Sequence, residues 1–183
     1  MLNKKLAILL CLVFFAGNTL IAQNKYVGAK SCKMCHNNPT KGEQYNAWSK
    51  TTHAQAFTVL SSEASLTWAK ANGVADPTTD AKCLKCHSTA GAVDASLLAV
   101  DAAGIPTLTK EEGVSCESCH GAGSNYKAMA TMKDKALATA AGLTTIDQKT
   151  CEACHLGEGN PFPKPFDYAT ALPKIAHKNP TKP

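Results

Sequence analysis

Cys116-Glu117-Ser118-Cys119-His120 is one of four stretches in which two cysteines three positions apart are followed at once by histidine. The others are Cys32-Lys33-Met34-Cys35-His36, Cys83-Leu84-Lys85-Cys86-His87 and Cys151-Glu152-Ala153-Cys154-His155. Cysteines at i and i+3 lie on one side of a helical turn. Both sulfurs can then face one edge of a porphyrin and join its vinyl groups as thioethers, while the adjacent imidazole reaches the iron. The four motifs use every cysteine beyond residue 30 and imply four covalently bound heme c groups.

Two other chemistries use cysteine pairs. Structural zinc sites draw two pairs together and give no reason for a histidine at one fixed offset after each pair. Disulfides leave the four histidines unexplained, and bridges within such short pairs are typical of redox motifs. The reading that accounts for all twelve residues is a tetraheme cytochrome c.

Residues 1–22 read as a signal peptide: Lys4 and Lys5, an apolar run from Leu6 to Phe15, then a smaller and more polar segment to Ala22. The run is short for a bilayer span, so a retained membrane anchor is the weaker alternative. Cys11, the ninth cysteine, lies inside it after Leu10 and is not read as a lipid-attachment site. Covalent heme attachment takes place outside the cytoplasmic membrane, which points to the periplasm. Residues 23–183 then form the tetraheme domain. Leu, Ile, Val and Phe make up only 22 of its 161 residues, below the roughly 20% at which a chain is suspected of lacking a core. Four apolar rings would supply that interior, and the heme-free chain is expected to be largely unfolded.

All nineteen basic residues are lysine, and two of them belong to the leader. Ionised heme propionates would offset the remaining positive charge, so no nucleic-acid partner is inferred.

Along the chain, residues 43–60 read as one helix with Tyr45, Ser49, His53, Phe57 and Leu60 on a shared face, which makes His53 a distal iron ligand. Ser61 or Ser62 caps a helix through Ala71. Trp48 and Trp68 read as heme-packing aromatics, and residues 88–109 as a connector with a short strand or helix. Ser124 caps a helix over 125–141 that stops at Gly142, with Tyr126, Met129, Lys133 and Leu137 on one face. Asp147 leads into the fourth motif. A proline-rich run follows, and a last helix over 168–177 is kinked or delayed by Pro173. Glu111, Glu112 and Glu117 read most simply as solvated charges, with an influence of Glu117 on heme potential or partner docking as the lesser reading. The intervals between motif histidines, 51, 33 and 35 residues, exclude a simple repeat.

Three blocks go beyond heme attachment: Cys32 to His36 with Trp48 and His53; Gly113-Val114-Ser115 with Cys116 to Gly123; and Cys151 to Leu156 with the proline-rich stretch, Phe166, Asp167 and His177. They resemble the tetraheme cytochrome c family typified by the electron acceptor of hydroxylamine oxidoreductase in ammonia-oxidising bacteria. The resemblance implies a mainly α fold, with short helices and long loops packed around four hemes and little or no sheet. It also implies three irons with two histidine ligands and a second heme with an open distal face, over which the stretch 162–166 would lie. Carried over, His53 sits opposite His120 on the third iron and His177 opposite His155 on the fourth. The six histidines are His36, His53, His87, His120, His155 and His177, so these are the only spare imidazoles. The distal histidine expected for the first heme falls near Ala130. Met129 or Met132 is the expected substitute.

The leading expectation for function is electron transfer between periplasmic or membrane-bound redox proteins, or with an inner-membrane respiratory complex. No nucleophile, paired-carboxylate or phosphate-loop constellation stands out. The alternatives are reduction of nitric oxide or another small nitrogen oxide at the open second heme, and a heme-bearing subunit of a larger respiratory complex.

Overall fold

The fold comes from a computed structural model that describes residues 23–157, 160, 164–177 and 180. Residues 1–22, read above as a signal peptide, and Pro161, Phe162 and Pro163 of the proline-rich run lie outside these residues. The architecture is mainly α. Ten short helices occur among the described residues: α1 (Ala29–His36), α2 (Gln44–Ser49), α3 (Glu63–Ala71), α4 (Ala81–His87), α5 (Thr89–Ala92), α6 (Cys116–His120), α7 (Met129–Met132), α8 (Lys135–Ala140), α9 (Gln148–His155) and α10 (Tyr168–Ile175). Strand pairing is confined there to two isolated bridges, Tyr26 with Leu98 and Val100 with Pro106.

Each heme motif occupies a helix end. In α1, α4, α6 and α9 the motif histidine is the last helical residue. The starts of α4 and α9 are fixed by aspartates: Asp80 accepts from Lys82 N, and Asp147 forms a reciprocal capping box with Thr150. Ser62 caps α3 through Ser65 N, and Asp167 caps α10 through Thr170 N. Helix α10 passes through Pro173 and still ends only at Ile175.

Two long helices read from periodicity are broken. Over residues 43–60 only α2 is α-helical; a run of turns and a 3₁₀ segment, Thr58–Ser61, follow it. The Thr51 hydroxyl donates to Trp48 O at 2.7 Å, a local bond that competes with helix propagation. His53 therefore sits on a turn. Its carbonyl accepts from Val114 N at 2.9 Å, tying residues 51–57 to the approach of α6. That approach needs glycine at 113, where φ is +65° and a Cβ would stand 2.7 Å from His53 O and 2.9 Å from Ala54 O. The expected helix 125–141 is split because Asp134 takes an extended conformation and caps a new helix, accepting from Ala136 N and Leu137 N. Tyr126 is buried while Met129 and Leu137 are exposed, so the proposed common face does not exist. Gly142, with φ +105°, closes α8.

The interior is small. Nine described apolar residues are buried, and four of them are Ala29, Ala69, Ala90 and Ala138. The volume such a core leaves unfilled appears as a cavity of about 1670 Å³.

Candidate heme-binding site

The cavity wall carries Cys83, Cys86 and His87 of α4 together with Cys119 of α6 and Cys151, Cys154 and His155 of α9. Pockets for a single ligand run to roughly 300–1,000 Å³, so this one has room for more than one ring. Trp68, Leu60, Val74 and Leu172 add an apolar lining. Trp48 instead donates Nε1–H to Val114 O at 2.9 Å, holding α2 against the third motif.

The motifs are linked through their thiols. Cys32 and Cys116 are close enough to influence one another, as are Cys86 and Cys154. Cys119 is close enough to Cys151 for the two to interact electrostatically. Neighbouring attachment sites therefore run first, third, fourth, second, an order unlike that of the chain. Burial and the neighbouring Cys86 thiol push Cys154 up to about 12, so it stands as the neutral thiol.

The histidines form two pairs. His53 and His155 have ring centroids 6.1 Å apart, and His120 and His177 repeat that separation at 6.1 Å. A metal midway between two imidazole nitrogens at about 2 Å from each, the usual length for histidine on a first-row metal, puts the ring centroids about 6 Å apart. Both pairs fit an iron with two axial histidines. Burial, then His177 and His36, push the His120 imidazole down to about 4, and burial with His155 also lowers His53. Neutral imidazole is the form that binds metal.

The remaining motif histidines are oriented from behind. His87 donates Nδ1–H to Ala56 O at 2.7 Å, which leaves Nε2 for the iron. His36 faces Gln44 Oε1 at 3.4 Å. The pairs thus account for four of six imidazoles.

The profile of the family described as Cytochrome c554 and c-prime matches residues 31–121. Over that span the chain is similar to the cytochrome c554 family. Among curated proteins, Cytochrome c-554 of Nitrosomonas europaea is 29% identical over 172 residues, an alignment covering 80% of this chain and 65% of that relative. The chain therefore spans just under two thirds of the length of the curated relative it matches. No solved structure matches it. The likeness implies covalently bound heme c.

Two expectations, the distal pairing and the solvated Glu117, need correction. The distal partners are exchanged: His53 faces His155 and His177 faces His120. Helices α6 and α9 are neighbours through Cys119 and Cys151, and His53, pinned by its carbonyl beside Val114, turns its ring to α9. Phe166 stacks on the His155 ring at 4.7 Å and 13° and lines the same cavity as His87. Phe162 lies outside the described residues.

Glu117, read as a solvated charge, is 1% exposed. Its carboxylate accepts from Val27 N, Gly28 N and Gly123 N at 2.7–3.0 Å. Glu112 accepts from Ala29 N at 2.8 Å, and burial raises it above the usual carboxylate range. Two carboxylates from the third-motif region thus hold the start of α1, complementing its N-terminal dipole. The signal available in sequence was the position of Glu117 between two motif cysteines, six residues before a glycine able to bring its amide close.

Proposed function

We propose that the chain is a tetraheme c-type cytochrome that carries electrons between redox proteins outside the cytoplasmic membrane, in the periplasm, as part of respiration. The two histidine pairs, each spaced for one iron, are the observation that carries this reading. Bound heme supplies a one-electron carrier at each site. The protein fixes where each carrier sits. Cys32 and Cys35, Cys83 and Cys86, Cys116 and Cys119, and Cys151 and Cys154 hold the ring edges, with His36, His87, His120 and His155 as proximal ligands. His53 and His177 complete the fourth and third irons. For the first iron the sixth ligand is Met129, exposed at the start of α7, or Met132, half-buried at its end. The linked thiols favour a continuous path from the first site to the second by way of the third and fourth.

Mass spectrometry of the exported protein tests the count: polypeptide plus four hemes is expected, and a bare chain or a zinc adduct would overturn the proposal. Reversible reduction and reoxidation of all four in a spectroelectrochemical titration tests carriage. Replacing Met129 and Met132 together should change the spectrum of one heme; an unchanged spectrum removes methionine from the ligand set.

A second reading rests on His87, which has no imidazole opposite it and whose Nδ1 is held by Ala56 O. An open iron there would bind nitric oxide. Multi-turnover consumption of nitric oxide by the reduced protein would establish a reductase, whereas a reduced spectrum indifferent to nitric oxide would eliminate it.

A further inference from the structure

Glu117 is the one charged side chain that is fully buried among the described residues. Its hydrogen-bond partners are all main-chain amides: Val27 N to both oxygens at 2.9 and 3.0 Å, Gly28 N to Oε2 at 2.8 Å and Gly123 N to Oε1 at 2.7 Å. Amides only donate, so a protonated oxygen would find nothing here to accept its hydrogen, and the pocket is built for carboxylate. Gly28 has φ +78°, and a Cβ there would lie 2.5 Å from Thr107 O and 3.0 Å from Glu112 Oε1, so glycine lets this segment pack against Thr107 and Glu112.

The position of this charge is specific. Glu117 stands between Cys116 and Cys119 on α6, three residues before His120. Its carboxylate grips Val27 and Gly28, about one turn ahead of Cys32 in α1. The helices that carry Cys32 and Cys116, α1 and α6, pack against each other. The charge therefore lies beside the first and third attachment sites together. No other motif has an equivalent: Lys33 and Leu84 occupy the corresponding places in the first two, and Glu152 in the fourth accepts from Gln148 Nε2 at an exposed helix surface.

We propose that Glu117 is a positioning residue with an electrostatic role: it clasps the first and third heme sites together and, as a fixed negative charge, lowers the reduction potentials of both. A negative charge stabilises ferric over ferrous iron, and it acts strongly where water and counter-cations are excluded. This inference rests on the tetraheme reading above, and heme content separates the failure of one from the failure of the other.

The test uses the intact holoprotein. Heme content of wild type and of Glu117→Gln is measured by mass, and both are then titrated spectroelectrochemically near neutral pH. Four hemes are expected in each. In Glu117→Gln two hemes should reduce at higher potential, with a ferrous-to-ferric ratio raised about threefold or more at a fixed potential near their midpoints, while the other two stay in place. Glu117→Asp keeps the charge on a shorter arm and should titrate like wild type. Wild-type potentials in Glu117→Gln, or an upward shift in Glu117→Asp as large as that in Glu117→Gln, would overturn the proposal. Where the Gln variant does not accumulate, the Asp variant decides: potentials like wild type support the role, and raised ones refute it. Fewer than four hemes on the wild-type chain would overturn the tetraheme reading instead.

Discussion

Replacing Gly113 by alanine should strike the fold and one iron ligand at once. At φ +65° and ψ −141° residue 113 is in territory almost reserved for glycine, where a side chain costs about 1–3 kcal/mol. The added Cβ also meets two main-chain oxygens, His53 O at 2.7 Å and Ala54 O at 2.9 Å. Neither can swing aside as a side chain would, so overpacking adds about 1–3 kcal/mol. The expected loss is about 3–4 kcal/mol, a large share of the roughly 5–15 kcal/mol that holds a typical domain together. Gly73→Ala is the control, because φ is +70° there but nothing lies within 4 Å; only the backbone cost of about 1–2 kcal/mol applies. Guanidinium unfolding of the holoproteins, followed by circular dichroism, compares midpoints at unchanged slope. Displacement of His53 should also appear as a new high-spin iron in low-temperature magnetic resonance. Equal midpoints for Gly113→Ala and Gly73→Ala would refute the steric argument, and an unchanged spin count would refute the link to His53.

His53→Ala and His177→Ala should each turn one low-spin iron high-spin, and the double variant two. Assignment of the oxidised protein by nuclear magnetic resonance should place His53 with His155 on a single iron; finding His53 with His120 would restore the pairing expected from resemblance. The heme-free chain should show no cooperative thermal transition, because its buried apolar set is rich in alanine; a native-like melt would contradict this. Asp76, Asp94, Asp147 and Asp167 are held below the usual carboxylate range by hydrogen bonds from Thr78, Ser96, Thr150 and Thr170. Their folded values lie below the unfolded ones, so the stability they add is complete above about pH 4 and is lost as pH falls further. Replacing all four with asparagine should flatten that acid limb in a stability–pH profile, and an unchanged limb would assign it to other groups.

Several helix boundaries were legible because each depends on neighbours in sequence. The Ser62 cap of α3, the Asp147 start of α9 and the Gly142 stop after α8 are all local chemistry. The two long helices were misread for the complementary reason. Periodicity registered the spacing of Tyr45, Ser49 and His53 but not the Thr51 hydroxyl returning to Trp48 O, and it passed over Asp134, whose carboxylate starts a helix in the middle of the proposed one. A short polar side chain that bonds its own backbone outweighs a hydrophobic stripe when that stripe has little core to face.

The distal pairing could not be read from spacing at all. His53 and His177 are both far in sequence from either partner, and the order of attachment sites in space departs from the order along the chain. Two main-chain contacts hold His53 in place. Val114 N to His53 O fixes residues 51–57 beside the approach to α6, and the bare α-carbon of Gly113 lets them come that close. With the His53 ring turned to His155 of α9, the ring beside His120 is His177, just beyond α10. On the proposed reading, a backbone clasp made by residues outside the ligand set thus decides which imidazole each motif histidine meets, and the same segment ends in Glu117, whose carboxylate holds the start of α1.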